Sequence, residues 1–149
     1  MAKKSASVTQ ARRFARERAL QGLYQLELSG GDVSTVRKEI QERQEMSLVD
    51  GDYFVSLYDR VATDPDAIDQ HLLPALDRPI EDLDPIERCV LRIAACEFAH
   101  HLEIPARVVI NEAIEITKRF GADQGHKYIN GVLDKLALVL RSTEMKKSG

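Results

Sequence analysis

Apolar residues recur at every third and fourth position along most of this 149-residue chain, and that spacing decides its fold class. Ile129, Val132, Leu133, Leu136, Val139 and Leu140 trace one helical face near the C-terminus. A second stripe starts at Pro105, a favoured first-turn residue. It runs through Val109, Ile110, Ala113, Ile114 and Ile116 to Phe120, where Gly121 stops it. A third follows Asp84-Pro85, an N-cap and first-turn pair, through Ile86, Val90, Leu91, Ile93, Ala94 and Phe98. Upstream, the pattern predicts a long helix over residues 10–28, closed by Ser29-Gly30-Gly31, and shorter ones over 34–45, 51–63 and 65–74. No run shows the strict alternation of a half-buried strand. The chain is expected to be all-α, with about seven helices in two small helical sub-bundles.

Prolines 65, 74, 79, 85 and 105 all sit at helix boundaries in this reading. They mark residues 76–84 as the joint between an N-terminal half, 10–76, and a C-terminal half, 84–141. Residues 1–9 read as a flexible basic arm and 142–149 as a flexible tail. An apolar content of 44% excludes wholesale disorder. The N-terminus lacks an apolar signal core, and the longest apolar run, residues 89–95, is broken by Arg92, so no membrane segment is expected. Cys89 and Cys96 would lie about 10 Å apart on one helix, too far for a disulfide, which suits a reduced, cytoplasmic protein.

Net charge is −3, but it is unevenly spread. Residues 1–24 hold Lys3, Lys4, Arg12, Arg13, Arg16 and Arg18 against Glu17 alone, which makes this segment +5. On a helical wheel with Arg12 at zero, Arg16 falls near 40° and Arg13 near 100°, so three guanidinium groups share an arc. Ala15, Ala19, Leu20, Leu23 and Leu26 occupy the same side. The arginines thus continue the apolar stripe upstream, and the first turns are expected to overhang the bundle and show them at its rim. Cations at a helix N-terminus oppose the macrodipole at a cost of roughly 0.3–1 kcal/mol each, which points to an anionic partner. Guanidinium forks suit phosphate and stack on bases, making RNA the natural candidate. A solvated charged end is the plainer alternative.

Two longer blocks are more specific. One is Val109-Ile110-Asn111-Glu112-Ala113-Ile114-Glu115-Ile116, continuing to Lys118-Arg119-Phe120-Gly121. The other is His126-Lys127-Tyr128-Ile129-Asn130-Gly131-Val132-Leu133-Asp134-Lys135. With Ala11-Arg12-Arg13 and Ala19-Leu20-Gln21-Gly22-Leu23-Tyr24, they resemble the NusB family of bacterial transcription antitermination factors over about residues 11–140. The resemblance implies an all-α RNA-binding protein without catalytic activity. It implies a partner, the small-subunit ribosomal protein NusE, with which it recognises single-stranded boxA RNA. It also implies a place with other Nus factors on RNA polymerase during ribosomal RNA synthesis.

By the same resemblance, Arg12, Arg13 and Arg16 match an arginine-rich RNA-contacting segment, with Lys3 and Lys4 in support. Lys127 and Tyr128 match a Lys-aromatic pair in which the ring can stack on an unpaired base. Phe14 and Gln124 depart from the pattern, standing where a further basic residue and an acid can occur. Tyr24 fits either RNA contact or a half-buried packing role. Asn130 and Gly131 suit a close helix crossing. Glu81, Asp82, Asp84 and Glu87 cluster where the family's NusE-facing surface would be, and acid there would steer a basic partner.

Other functions find less support. Cys96, Glu97, His100 and His101 could suggest a metal, but successive histidines point about 100° apart and no second ligand pair has zinc-like spacing. No phosphate-binding loop, dinucleotide fingerprint or nucleophile elbow occurs. The chain is therefore expected to need no cofactor. The RNA-binding domain fused to some ribosomal RNA cytosine methyltransferases is similar, but this length leaves no room for the catalytic domain. A homodimeric helical scaffold acting outside antitermination is the remaining alternative.

Overall fold

The structure is a computed structural model that describes residues 6–148. Among these residues all regular structure is helical: eight α-helices and two short 3-10 turns. The chain forms two compact units that divide between Thr63 and Asp64, so residues 76–84 lie inside the second unit.

The first unit contains α1 (Val8–Ser29), α2 (Val33–Arg43) and α3 (Gly51–Thr63). Ser7 opens α1 through a capping box: Gln10 N donates to Ser7 Oγ, and Ser7 N donates to Gln10 Oε1. Gly30, at φ 69°, closes it, in a conformation that glycine adopts without steric cost. Ala15, Ala19, Leu20 and Leu23 of α1 are buried, as are Val36 and Ile40 of α2 and Phe54, Leu57, Tyr58 and Val61 of α3. Gly22 is needed for this packing, because a Cβ there would lie 2.7 Å from Tyr58 Cε2. The Tyr58 hydroxyl donates to Val33 O at 2.6 Å, and burial pushes its pKa up to about 12, so it remains a neutral donor.

The second unit contains α4 (Pro65–Leu72), 3-10 turns at Leu73–Ala75 and Ile80–Asp82, then α5 (Pro85–His100), α6 (Ala106–Phe120), α7 (Gly125–Leu140) and α8 (Ser142–Ser148). In α5, nearly every side chain from Cys89 to Phe98 is buried, as in a helix surrounded by others, and both thiols are buried with them. Arg92 is the one side chain of that run that is only half-buried. It makes a two-pronged contact with Asp69 of α4, at 2.8 and 2.9 Å. Against α5 pack Val109 and Ile116 of α6 and Ile129, Val132, Leu133 and Leu136 of α7. The α7 stripe ends earlier than the sequence suggested: Leu140 is half-buried and Val139 is 64% exposed, because Val139 turns off the line of Leu133 and Leu136.

Two further differences are linked. Helix α6 begins at Ala106, with Pro105 extended at its cap and no cap from its own side chains. Residues 142–148, expected as a flexible tail, form α8 instead. The cause is Arg141, whose buried guanidinium donates to the carbonyls of Phe98, Ile104 and His101 at 2.9–3.0 Å, and to Glu97 O at 3.3 Å. These carbonyls belong to the last turn of α5 and the loop that follows it; Glu97 O and His101 O also accept from the backbone N of His101 and Ile104, and the helix dipole favours a cation there. Anchored there, α8 places Glu144 so that its carboxylate accepts from Ala106 N and from Arg141 Nη1, supplying the cap that α6 lacks. These donors hold the Glu144 carboxyl below its ordinary value.

Candidate nucleic-acid interface

In the first unit the basic segment takes its shape from α3. Asp50 caps α3 by accepting from Tyr53 N, while Asp50 N donates to Ala11 O at 3.1 Å, which fixes the start of α3 beside the first turns of α1. Tyr53 then lies beneath two guanidinium groups: those of Arg12 and Arg16 stand 5.7 and 5.6 Å from its ring centroid. The turn that carries Arg12 and Arg16 therefore does not overhang, although residues 8–10 before it are exposed. Arg16 is only 2% exposed, contrary to expectation, because its stem lines apolar surface and its head rests on an aromatic face. Arg12 and Arg13 remain partly exposed. Arg12 Nε is buried without a hydrogen-bond partner, a local cost that the fold leaves in place. Tyr24 is half-buried, and Arg18 Nη2 donates to Glu45 O at 3.1 Å. Lys3 and Lys4 lie outside the described residues. Sequence reasoning missed Tyr53, which lies in the expected helix over 51–63 without any signal that sets it apart.

In the second unit the Lys-aromatic pair opens α7. Gln124, left-handed at φ 68°, turns the chain into the helix. Lys127 is exposed and Tyr128 half-buried. The Tyr128 hydroxyl donates to Asp77 Oδ1 at 3.2 Å, and the Arg78 guanidinium lies 4.6 Å from the ring centroid. Arg78 Nε also donates to Asp77 Oδ1, at 3.0 Å. Burial and the Asp77 carboxylate push the Tyr128 phenol up, so it titrates above its ordinary range.

The four acids named from sequence divide into different roles. Glu81 and Asp82 are exposed on the second 3-10 turn. Asp84 is exposed too, but its carboxylate caps α5 by accepting from the backbone N of Ile86 and of Glu87. Glu87 is half-buried beside the start of α7: a Cβ on Gly125 would lie 2.7 Å from its Oε1. Burial and the neighbouring Asp84 raise its pKa, while Arg78 opposes the shift. Arg88, unnoticed in the sequence, donates from Nη1 to Ile80 O and Leu83 O at 3.1 and 3.0 Å and so holds the acidic turn on α5.

Asn130 and Gly131 do not make a helix crossing. Both are exposed, and a Cβ on Gly131 would meet nothing within 4 Å. Among the described residues no three His, Cys, Asp or Glu side chains converge as metal ligands would, and no helix is long and apolar enough to cross a membrane.

Comparison with known proteins gives a consistent picture. The NusB family profile matches residues 13–138. A transcription antitermination protein NusB from Chromohalobacter salexigens is 46% identical, over 91% of this chain and 90% of its own. Another, from Paraburkholderia xenovorans, is 47% identical over 90% and 93%. Their name is that of a transcription factor, in keeping with a protein that binds rather than catalyses. Among solved structures, T. maritima NusB superposes with a TM-score of 0.75 at 27% identity, over 86% of this chain and 91% of that one. A structure of antitermination factors NusB and NusE in complex with double-stranded RNA gives 0.74 at 27% identity, over 85% and 96%. The profile match spans most of the chain and the relatives cover nearly all of it: the chain belongs to the NusB family.

Proposed function

We propose that this chain is a transcription antitermination factor that binds boxA RNA together with NusE and promotes processive transcription of ribosomal RNA operons in the cytoplasm. The observation that carries the RNA contact is the pair of guanidinium groups set over Tyr53. Held against the ring before any ligand arrives, Arg12 loses less side-chain entropy on meeting phosphate than a free arginine would. Arg12 and Arg13 then contact the RNA, and Arg16 shares the ring that positions Arg12. Lys3, Lys4 and Tyr24 are further RNA contacts in this reading, and Lys127 and Tyr128 serve a phosphate and a base. Glu81, Asp82, Asp84 and Glu87 are assigned as the acidic surface for NusE; the solved complex of a NusB with NusE and RNA supports the pairing itself. Assembly with RNA polymerase and other Nus factors follows from that pairing. Self-association without NusE is the alternative state, read out by sedimentation of the protein alone and mixed with NusE.

The test is titration of a boxA oligonucleotide with and without NusE at two salt concentrations. Affinity should rise with NusE and fall when the boxA order is scrambled. The Arg12→Ala/Arg13→Ala variant should bind more weakly. The magnitude of its slope of log K on log salt should drop by about 0.7 for each phosphate it no longer neutralises. Binding indifferent to both sequence and NusE would overturn the proposal.

A further inference from the structure

Tyr128 is not an open platform, because Arg78 occupies its face. The side chain of Arg78 is half-exposed, with its guanidinium 4.6 Å from the ring centroid. Asp77 Oδ1 accepts from both Arg78 Nε and the Tyr128 hydroxyl, so one carboxylate fastens cation and ring together. Pro79 follows and restrains the backbone at Arg78, which leaves its side chain as the part free to move.

We propose that Arg78 is an RNA contact that works by exchange: a base displaces it from the Tyr128 ring, and the released guanidinium takes a backbone phosphate of the same RNA segment. The inference rests on the reading of Tyr128 as a base-stacking residue. Relative strengths favour the exchange. A base on an aromatic ring outweighs an exposed cation on the same ring, and an exposed ion pair between adjacent residues holds little. Arg78 therefore gives up two weak interactions and gains a charge-assisted, fork-shaped one to phosphate. Asp77 opposes binding, because it holds Arg78 and the hydroxyl in the closed arrangement and adds negative charge where RNA must approach.

The experiment is boxA oligonucleotide titration, with NusE present, at about 50 and about 200 mM salt. Thermal melts confirm that each variant is folded. Arg78→Ala should weaken binding several-fold at the lower salt. Its salt slope should be shallower by about 0.7, so its deficit shrinks about 2.5-fold at the higher salt. Arg78→Lys should restore the slope. Asp77→Asn should bind more tightly than the parent by about two- to fivefold. Two results would overturn the exchange: an Arg78→Ala deficit equal at both salts, which means that the guanidinium stays on the ring beneath the base, or an unchanged affinity. If Tyr128→Ala and Arg12→Ala/Arg13→Ala also leave binding unchanged, the RNA reading itself fails. If they weaken it while Arg78→Ala keeps the parent slope, only the exchange does.

Discussion

Tyr53 makes neighbours of two arginines that would otherwise repel each other. Its ring presents negative quadrupole to both guanidinium groups, and its own burial fixes where that face points. Replacing it with leucine keeps an apolar residue of similar reach and removes the face. Tyr53→Leu should therefore lower unfolding stability by about 1–2 kcal/mol, checked by urea titration. In the same variant, adding Arg12→Ala should weaken RNA binding less than it does in the parent, since the two residues act as one unit. Equal effects in both backgrounds would mean that Tyr53 has no part in positioning Arg12. At this scale the sequence was half legible. The arc shared by Arg12, Arg13 and Arg16 follows from a helical wheel, but the ring beneath it comes from α3, about 40 residues away, and no local period reports such a pairing.

Helix identity was far more legible than side-chain role. The span of α3 agrees at both ends with the expected one, and α5 begins at Pro85 behind its Asp84 cap as Asp-Pro implies. α8 was missed because its anchor is the cluster of carbonyls that Arg141 fills at the end of α5, and its own seven residues lack an apolar stripe. Gly131 was misread for a related reason: a glycine inside a helix suggests close packing, yet open space surrounds it. Nothing among the described residues compensates for its cost in helix propensity. Gly131→Ala should raise stability by about 0.5–1 kcal/mol, seen as a higher melting temperature. A fall in stability would reveal a packing contact at that position.

For the molecule as a whole, a −3 total charge conceals a basic start and an acidic body. The second unit also carries its own response to acid. The Glu144 carboxyl, held below its ordinary value of 4.5 by Ala106 N and Arg141, stabilises the fold while ionised. That contribution is complete above the unfolded value and disappears as pH falls through the lower folded one. The melting-temperature gap between the parent and Glu144→Gln should therefore be constant near neutrality and narrow in acid below about pH 4.5. A gap independent of pH would exclude the carboxylate as its source. The Arg141–Glu144 clasp has a consequence for how the chain is made. The caps and side-chain hydrogen bonds that Asp50 and Tyr58 make in the first unit close within residues 1–63, so that unit can be complete while the ribosome is still reading the rest. The second unit stays unfinished until residues 141–144 have been made, because Arg141 and Glu144 supply the groups that satisfy the end of α5 and the start of α6.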